Sequence, residues 1–123
     1  MKEHEKNTLV LGASTNPQRY SHRAIEMLAD HGYSVVPVGN QNGAVKAIPI
    51  EQELPMEKDI HTVTLYLNQQ RQQQYYEQIL ALQPQRLIFN PGSENDEFEK
   101  MASEQGIEAV KACTLVMLST GTY

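Results

Sequence analysis

Residues 8–23, T-L-V-L-G-A-S-T-N-P-Q-R-Y-S-H-R, decide how this chain is read. An apolar run over 8–11 meets Gly12, crosses a small polar loop broken by Pro17, and enters a helical pattern near Ser21. Strand, tight turn and helix start follow one another in the order that an anion site requires. The first amides of a helix have no internal partner, and the helix dipole adds partial positive charge there, so a phosphate is favoured. Arg19 and Arg23 flank the same spot. The alternative, that Ser21 only caps the helix and both arginines face solvent, is left open by the residues themselves.

Outward from this block, short apolar runs alternate with amphipathic stretches of helical length, which is the signature of a parallel sheet covered by helices. The first strand is read at 8–12, and its helix at 21–31, where Ile25, Leu28 and Ala29 form the buried stripe and Gly32 the stop. The second strand covers 34–38. Residues 41–55 hold Gly43, Pro49 and Pro55 and read as a long loop with one helical turn at 51–54. The third strand, 62–67, alternates Val63, Leu65 and Leu67 with Thr62, Thr64 and Tyr66, a pattern that predicts a sheet edge. Asn68 opens a glutamine-rich helix closed by Pro84, whose run at 69–74 reads as a solvated face. A fourth strand at 86–89 ends in Asn90-Pro91-Gly92. A further helix, capped by Ser93, carries Phe98, Met101, Ala102 and Gln105 on one face. A fifth strand at 108–112 and a short closing helix at 114–118 complete the pattern.

The totals agree with one domain over residues 1–123, since 123 residues bury a sizeable core. With 10 basic against 15 acidic residues the net charge is −5, and the basic residues are scattered, which argues against nucleic acid as a partner. The one cysteine, Cys113, cannot form an internal disulfide. The polar start M-K-E-H-E-K-N shows no secretion signal, and no apolar run approaches bilayer length, so a cytoplasmic protein without membrane contact is expected.

In open sheets of this kind ligands bind beyond the carboxyl ends of the strands, where the winding direction switches. Gly12-Ala13-Ser14, Gly39-Asn40, Asn68 and Asn90-Pro91-Gly92 fall there, and none carries negative charge. A phospho-accepting receiver would need carboxylates at these ends. An NAD site would need three spaced glycines and an acid after the second strand, whereas Ser14, Pro17 and Asn40 occupy those places. The later helix starts with Glu94, Asp96 and Glu97, which satisfy its own dipole and would repel a phosphate; the first helix opens with Tyr20, Ser21, His22 and Arg23 and has no acid before Glu26. No G-x-S-x-G elbow surrounds Ser14. Of the histidines His4, His22, His31 and His61, only His22 is placed near an anion at the first helix; His4 and His31 read as exposed.

The blocks G-A-S-T-N-P-Q-R-Y-S, G-Y-S-V-V-P-V, K-A-I-P-I, N-P-G-S-E-N and A-C-T-L-V-M, in this order, resemble the small coenzyme A-binding domain proteins, which are similar to the N-terminal domain of the succinyl-CoA synthetase alpha chain. The resemblance implies an α/β, three-layer Rossmann-like fold with a five-stranded, mostly parallel sheet and helices on both faces. It implies that Gly12, Ala13, Ser14 and Thr15, with Tyr20 and Ser21 at the helix start and Arg19 beside them, cradle the diphosphate of coenzyme A. Val38, Gly39 and Asn40 would line the adenosine end, Lys46 would meet the ribose phosphate, and Tyr66 with the turn from Asn90 to Gly92 would border the pantetheine arm. The chain departs from the pattern after the second strand, where G-N-Q-N-G replaces the usual asparagine-proline continuation.

The resulting expectation is a stand-alone module that binds the small-molecule ligand coenzyme A or an acyl-CoA, with no metal and no catalytic residues of its own. An NAD(P)-binding oxidoreductase or redox sensor is the alternative. Pairing into a homodimer, or with an unknown protein partner, is left open.

Overall fold

The computed structural model describes residues 6–123; His4 lies outside them. Five parallel strands form one sheet in the order β2-β1-β5-β6-β7, with β1 at Thr8–Leu11, β2 at Val35–Val38, β5 at Thr62–Leu65, β6 at Arg86–Phe89 and β7 at Glu108–Lys111. Between β2 and β5 the chain makes a small antiparallel hairpin, β3 (Ala44–Val45) and β4 (Ile48–Pro49), where a loop with a helical turn was expected. Lys46 and Ala47 close that hairpin at positive φ, a turn conformation that residue-type reading does not anticipate for either.

Alternating residues of each strand feed two cores. Leu9, Leu11, Val63, Leu65, Leu87 and Phe89 face α3 (Tyr76–Leu82) and α4 (Asp96–Glu104) through Ile79, Phe98 and Ala102. Val10, Val35 and Ile88 face α1 (Tyr20–Asp30) and α5 (Thr114–Thr120) through Ile25, Leu28 and Leu118. The sheet is therefore covered on both sides, as its near-continuous apolar strands demand.

One expectation about this sheet is reversed. β5 is its middle strand, not an edge, because the polar half of the Thr62-Val63-Thr64-Leu65 alternation is buried and hydrogen-bonded. Thr64 Oγ1 shares a 2.7 Å hydrogen bond with Thr114 Oγ1 and accepts another from Asn90 Nδ2; Thr62 Oγ1 accepts from Arg86 Nε. Threonines satisfied in this way sit in a core at little cost, so alternation alone does not mark solvent. The edges are β2 and β7, and β2 contains Pro37, which lacks a ladder donor and suits that position.

The glutamine segment is also more structured than a solvated face. It divides into α2 (Gln69–Gln72), a 3-10 turn at Gln73–Tyr75 and α3, and Gln72 is fully buried. Helix α4 is capped by Asn95, whose side chain accepts from the Phe98 amide at 3.0 Å; Ser93 is buried instead.

Phe98 is the central apolar contact of its face, fully buried, stacked on Tyr76 at 4.4 Å and edge-on to Phe89 at 6.0 Å. Phe98→Ala is expected to lower stability by about 3–5 kcal/mol, read as a fall in the urea midpoint at unchanged slope.

Candidate functional site

The strand order reverses between β1 and β5, and above their carboxyl ends lies a cavity of about 610 Å³. Its lining runs from Gly39, Asn40 and Gln41 beyond β2, over the β1 loop and the start of α1, to Tyr66, Asn68 and Arg71 beyond β5 and Pro91, Gly92 and Ser93 beyond β6. Among the described residues no carboxylate lines it.

The β1 loop is held by backbone bonds that leave few amides free. Gly12 and Ala13 both donate to the Val38 carbonyl, at 2.8 and 2.9 Å, and Thr15 donates to Gln41 Oε1 at 2.8 Å. Asn16 donates to Ser14 Oγ and Gln18 to Asn16 Oδ1. In the expected cradle of residues 12–15, only the Ser14 amide lacks a partner among the described residues. The peptide that follows it is pinned at both ends, its N–H by Gln41 and its carbonyl by His22 Nδ1, which donates to Ser14 O at 2.9 Å.

Helix α1 supplies the remaining free donors. Its N-cap is Arg19, in extended conformation and without a side-chain cap bond, so Ser21 is not the cap but a buried residue inside the first turn. The first helical bond runs from the Arg23 amide to Arg19 O at 3.2 Å, and the amides of Tyr20, Ser21 and His22 before it donate to nothing among the described residues. The first turn carries no acid. At the opposite helix, α4, the first turn contains Asp96, Glu97 and Glu99, and Glu94 Oε1 accepts from the Gly92 amide at 2.9 Å. One end of the cavity thus presents free helix-start amides without an acid, whereas at the other the carboxylates of the chain itself meet the helix start.

Among the residues expected at a ligand, the cavity gathers Gly12, Ala13, Ser14, Arg19, Tyr20, Ser21, Gly39, Asn40, Tyr66 and Gly92. Thr15, Val38, Lys46 and Asn90 are not in its lining. Val38 is fully buried and acts through its carbonyl. Lys46 sits in the β3–β4 turn, 2.7 Å from Asp30, a contact that raises its pKa through the hydrogen bond and the attraction of that carboxylate. Asn90 is buried and saturated: its Nδ2 donates to Thr64 Oγ1 and Leu65 O, and its Oδ1 accepts from the Thr114 amide. It braces β5, β6 and α5 together. Arg23 is likewise outside the lining and lies over the Tyr20 ring, 5.6 Å from its centroid.

Gln18, Gln41, Arg71, Gln74 and Tyr75 line the cavity without having been singled out. Asn68, Arg71, Gln74 and Tyr75 recur at helical spacing, so one face of the segment after β5 forms the wall. That spacing was readable from Asn68 onward. Gln41 carries no comparable signal, because its role depends on a contact with Thr15, 26 positions earlier in the chain. Tyr66 keeps its proton at neutral pH: burial pushes its phenol well above the ordinary value, and the neighbouring Thr64 and Thr114 hydroxyls are bonded to each other.

Gly39 permits the closest approach in the site. A Cβ there would stand 2.5 Å from the Ala13 carbonyl oxygen. Gly39→Ala must therefore push β2 and the β1 loop apart, with an expected loss of about 1–3 kcal/mol of stability, measured by thermal unfolding alongside a ligand titration that weakens in parallel. Gln41→Ala is expected to release the Thr15 amide and reduce ligand affinity with a smaller change in melting temperature, checked by the same two measurements.

The comparisons place this geometry among known proteins. A solved structure described as an uncharacterized protein is 50% identical, with a TM-score of 0.93 over 96% of this chain and 98% of that one. A Thermus thermophilus protein is 25% identical, with a TM-score of 0.85 over 96% and 90% of the two chains. A hypothetical protein from Pyrococcus horikoshii OT3 is also 25% identical, with a TM-score of 0.84 over 94% and 82%. No curated protein matches. Among the described residues no helix is long and apolar enough to cross a membrane. The model of the CoA binding domain matches residues 6–119, and the chain belongs to that family of Rossmann-like, coenzyme A-binding domains.

Proposed function

We propose that the cavity takes coenzyme A or an acyl-CoA, with the diphosphate at the start of α1, and that the chain serves as a binding module without chemistry of its own. The observation that carries this reading is the pairing of free donors with missing acids. Among the described residues the amides of Ser14, Tyr20, Ser21 and His22 are uncommitted, Arg19 stands beside them, and no carboxylate lines the cavity. Charge-assisted bonds to backbone amides and a guanidinium suit a diphosphate. The cavity volume is within the range of cofactor sites.

The absence of chemistry is supported by how the reactive side chains are engaged. His22 donates to a backbone carbonyl through Nδ1 and meets Glu26 at 3.4 Å through Nε2, so it is not oriented on a nucleophile. Cys113 precedes α5 and lies outside the cavity lining. Asn40 lines the cavity beyond β2 where NAD sites carry the acid that holds the ribose hydroxyls, which favours coenzyme A over NAD.

Thermal unfolding with coenzyme A, acetyl-CoA and NADH tests the reading. A ligand at a hundredfold its dissociation constant adds about 2.7 kcal/mol of stability, which is expected for coenzyme A and acetyl-CoA and not for NADH. Arg19→Ala is expected to weaken coenzyme A by about 1–3 kcal/mol in calorimetry. Stabilisation by NADH alone would overturn the proposal.

A further inference from the structure

We propose that Arg71 forms a second anion subsite, on the cavity wall beyond β5, for a negative group of the ligand other than its diphosphate. The proposal rests on the coenzyme A reading above and extends it to a residue outside those expected from the sequence. Arg71 and Arg19 are the two cationic residues in the lining. Neither guanidinium has an ion pair or a hydrogen bond among the described residues, whereas Lys46 is paired with Asp30 and Lys111 with Asp96 and Glu99. In a chain of net charge −5, a guanidinium clear of carboxylates beside a cavity with no acid in its lining has no partner among the described residues.

The backbone that carries Arg71 is fixed. Its amide donates to the Asn68 side chain at 2.9 Å. The next residue, Gln72, is fully buried; its Nε2 donates to Leu67 O and Ser93 O, both at 2.8 Å, and its Oε1 accepts from Asn95 Nδ2 at 2.8 Å. That anchor ties the wall after β5 to the turn after β6. Arg71 extends from a rigid base, so a bound anion need not order the main chain, and its planar fork suits a phosphate or a carboxylate held by two bonds.

Elimination gives the subsite its ligand. The free amides of α1 account for one anionic group. Lys46, expected at the ribose phosphate, is outside the cavity and engaged with Asp30. The turn after β6 is closed to anions by Glu94, which occupies the Gly92 amide. Arg71 is the cation left for a further negative group. Two parts of the ligand carry that chemistry: the 3′-phosphate on the ribose, or a carboxylate at the end of a dicarboxylic acyl chain.

Calorimetry on the wild-type chain, Arg71→Ala and Arg71→Lys with coenzyme A, 3′-dephospho-coenzyme A, acetyl-CoA and succinyl-CoA tests the proposal and separates the sources. Arg71 is exposed, so Arg71→Ala should fold with an unchanged melting temperature. A loss of about tenfold or more is expected for some ligands only, with partial recovery in Arg71→Lys. If the loss covers all but the dephospho ligand, Arg71 meets the 3′-phosphate; if it is confined to succinyl-CoA, Arg71 meets the acyl carboxylate. Equal affinity of wild type and Arg71→Ala for all four ligands overturns the subsite and leaves the coenzyme A reading standing. An equal loss on all four also overturns it, because Arg71 would then act on the diphosphate. Failure of the wild-type chain to bind any of them overturns both readings.

Discussion

The carbonyl of Val38 is the point on which the site depends. It accepts the amides of Gly12 and Ala13 together, locking the loop after β1 onto the end of β2. The lock requires two strand ends to lie closer than side chains normally permit, and Gly39, with no Cβ to meet the Ala13 carbonyl, makes that approach possible. Gly12 contributes by taking a φ of +98°, beneath the Tyr66 backbone, where a side chain would be strained. With the loop so fixed, the start of α1 is delivered to the switch point of the sheet with its first amides still free.

Around this lock, the polar residues divide into those that build the wall and those that face the cavity. Asn90 and Gln72 satisfy all they can reach within the protein, bracing β5 and β6 against α5 and α4, and are as buried as any leucine. Buried amide groups of this kind stabilise only when every donor and acceptor is met, and here they are met by strand-end carbonyls and helix starts. The guanidinium groups of Arg19 and Arg71, by contrast, have no partner among the described residues. The difference between an engaged and an unengaged polar group, more than residue type, separates scaffold from site.

The family match gives this arrangement its chemical context without naming a reaction. Coenzyme A carries several negative charges on a long, flexible body, and a cavity that spans four strand ends with acids excluded from its lining suits such a ligand. The overall negative charge of the chain acts at long range and is screened by salt beyond about 8 Å, so the local donors decide what is held.

From the residues alone, the α/β alternation, the position of β6, the tight glycine turn after β1 and the contrast between an acid-free and an acid-rich helix start were all legible, because each depends on neighbours within a few positions. The places of β5, Lys46, Asn90 and Arg71 were not. Thr62 and Thr64 read as the polar face of an edge strand until Arg86, Asn90 and Thr114 are brought onto them from distant segments. Lys46 reads as a free cation until Asp30, 16 residues earlier, closes on it. Local hydrophobic period and turn chemistry determine which elements form; only the packed structure decides which polar groups have already found a partner, since those partnerships join atoms that the chain order keeps apart.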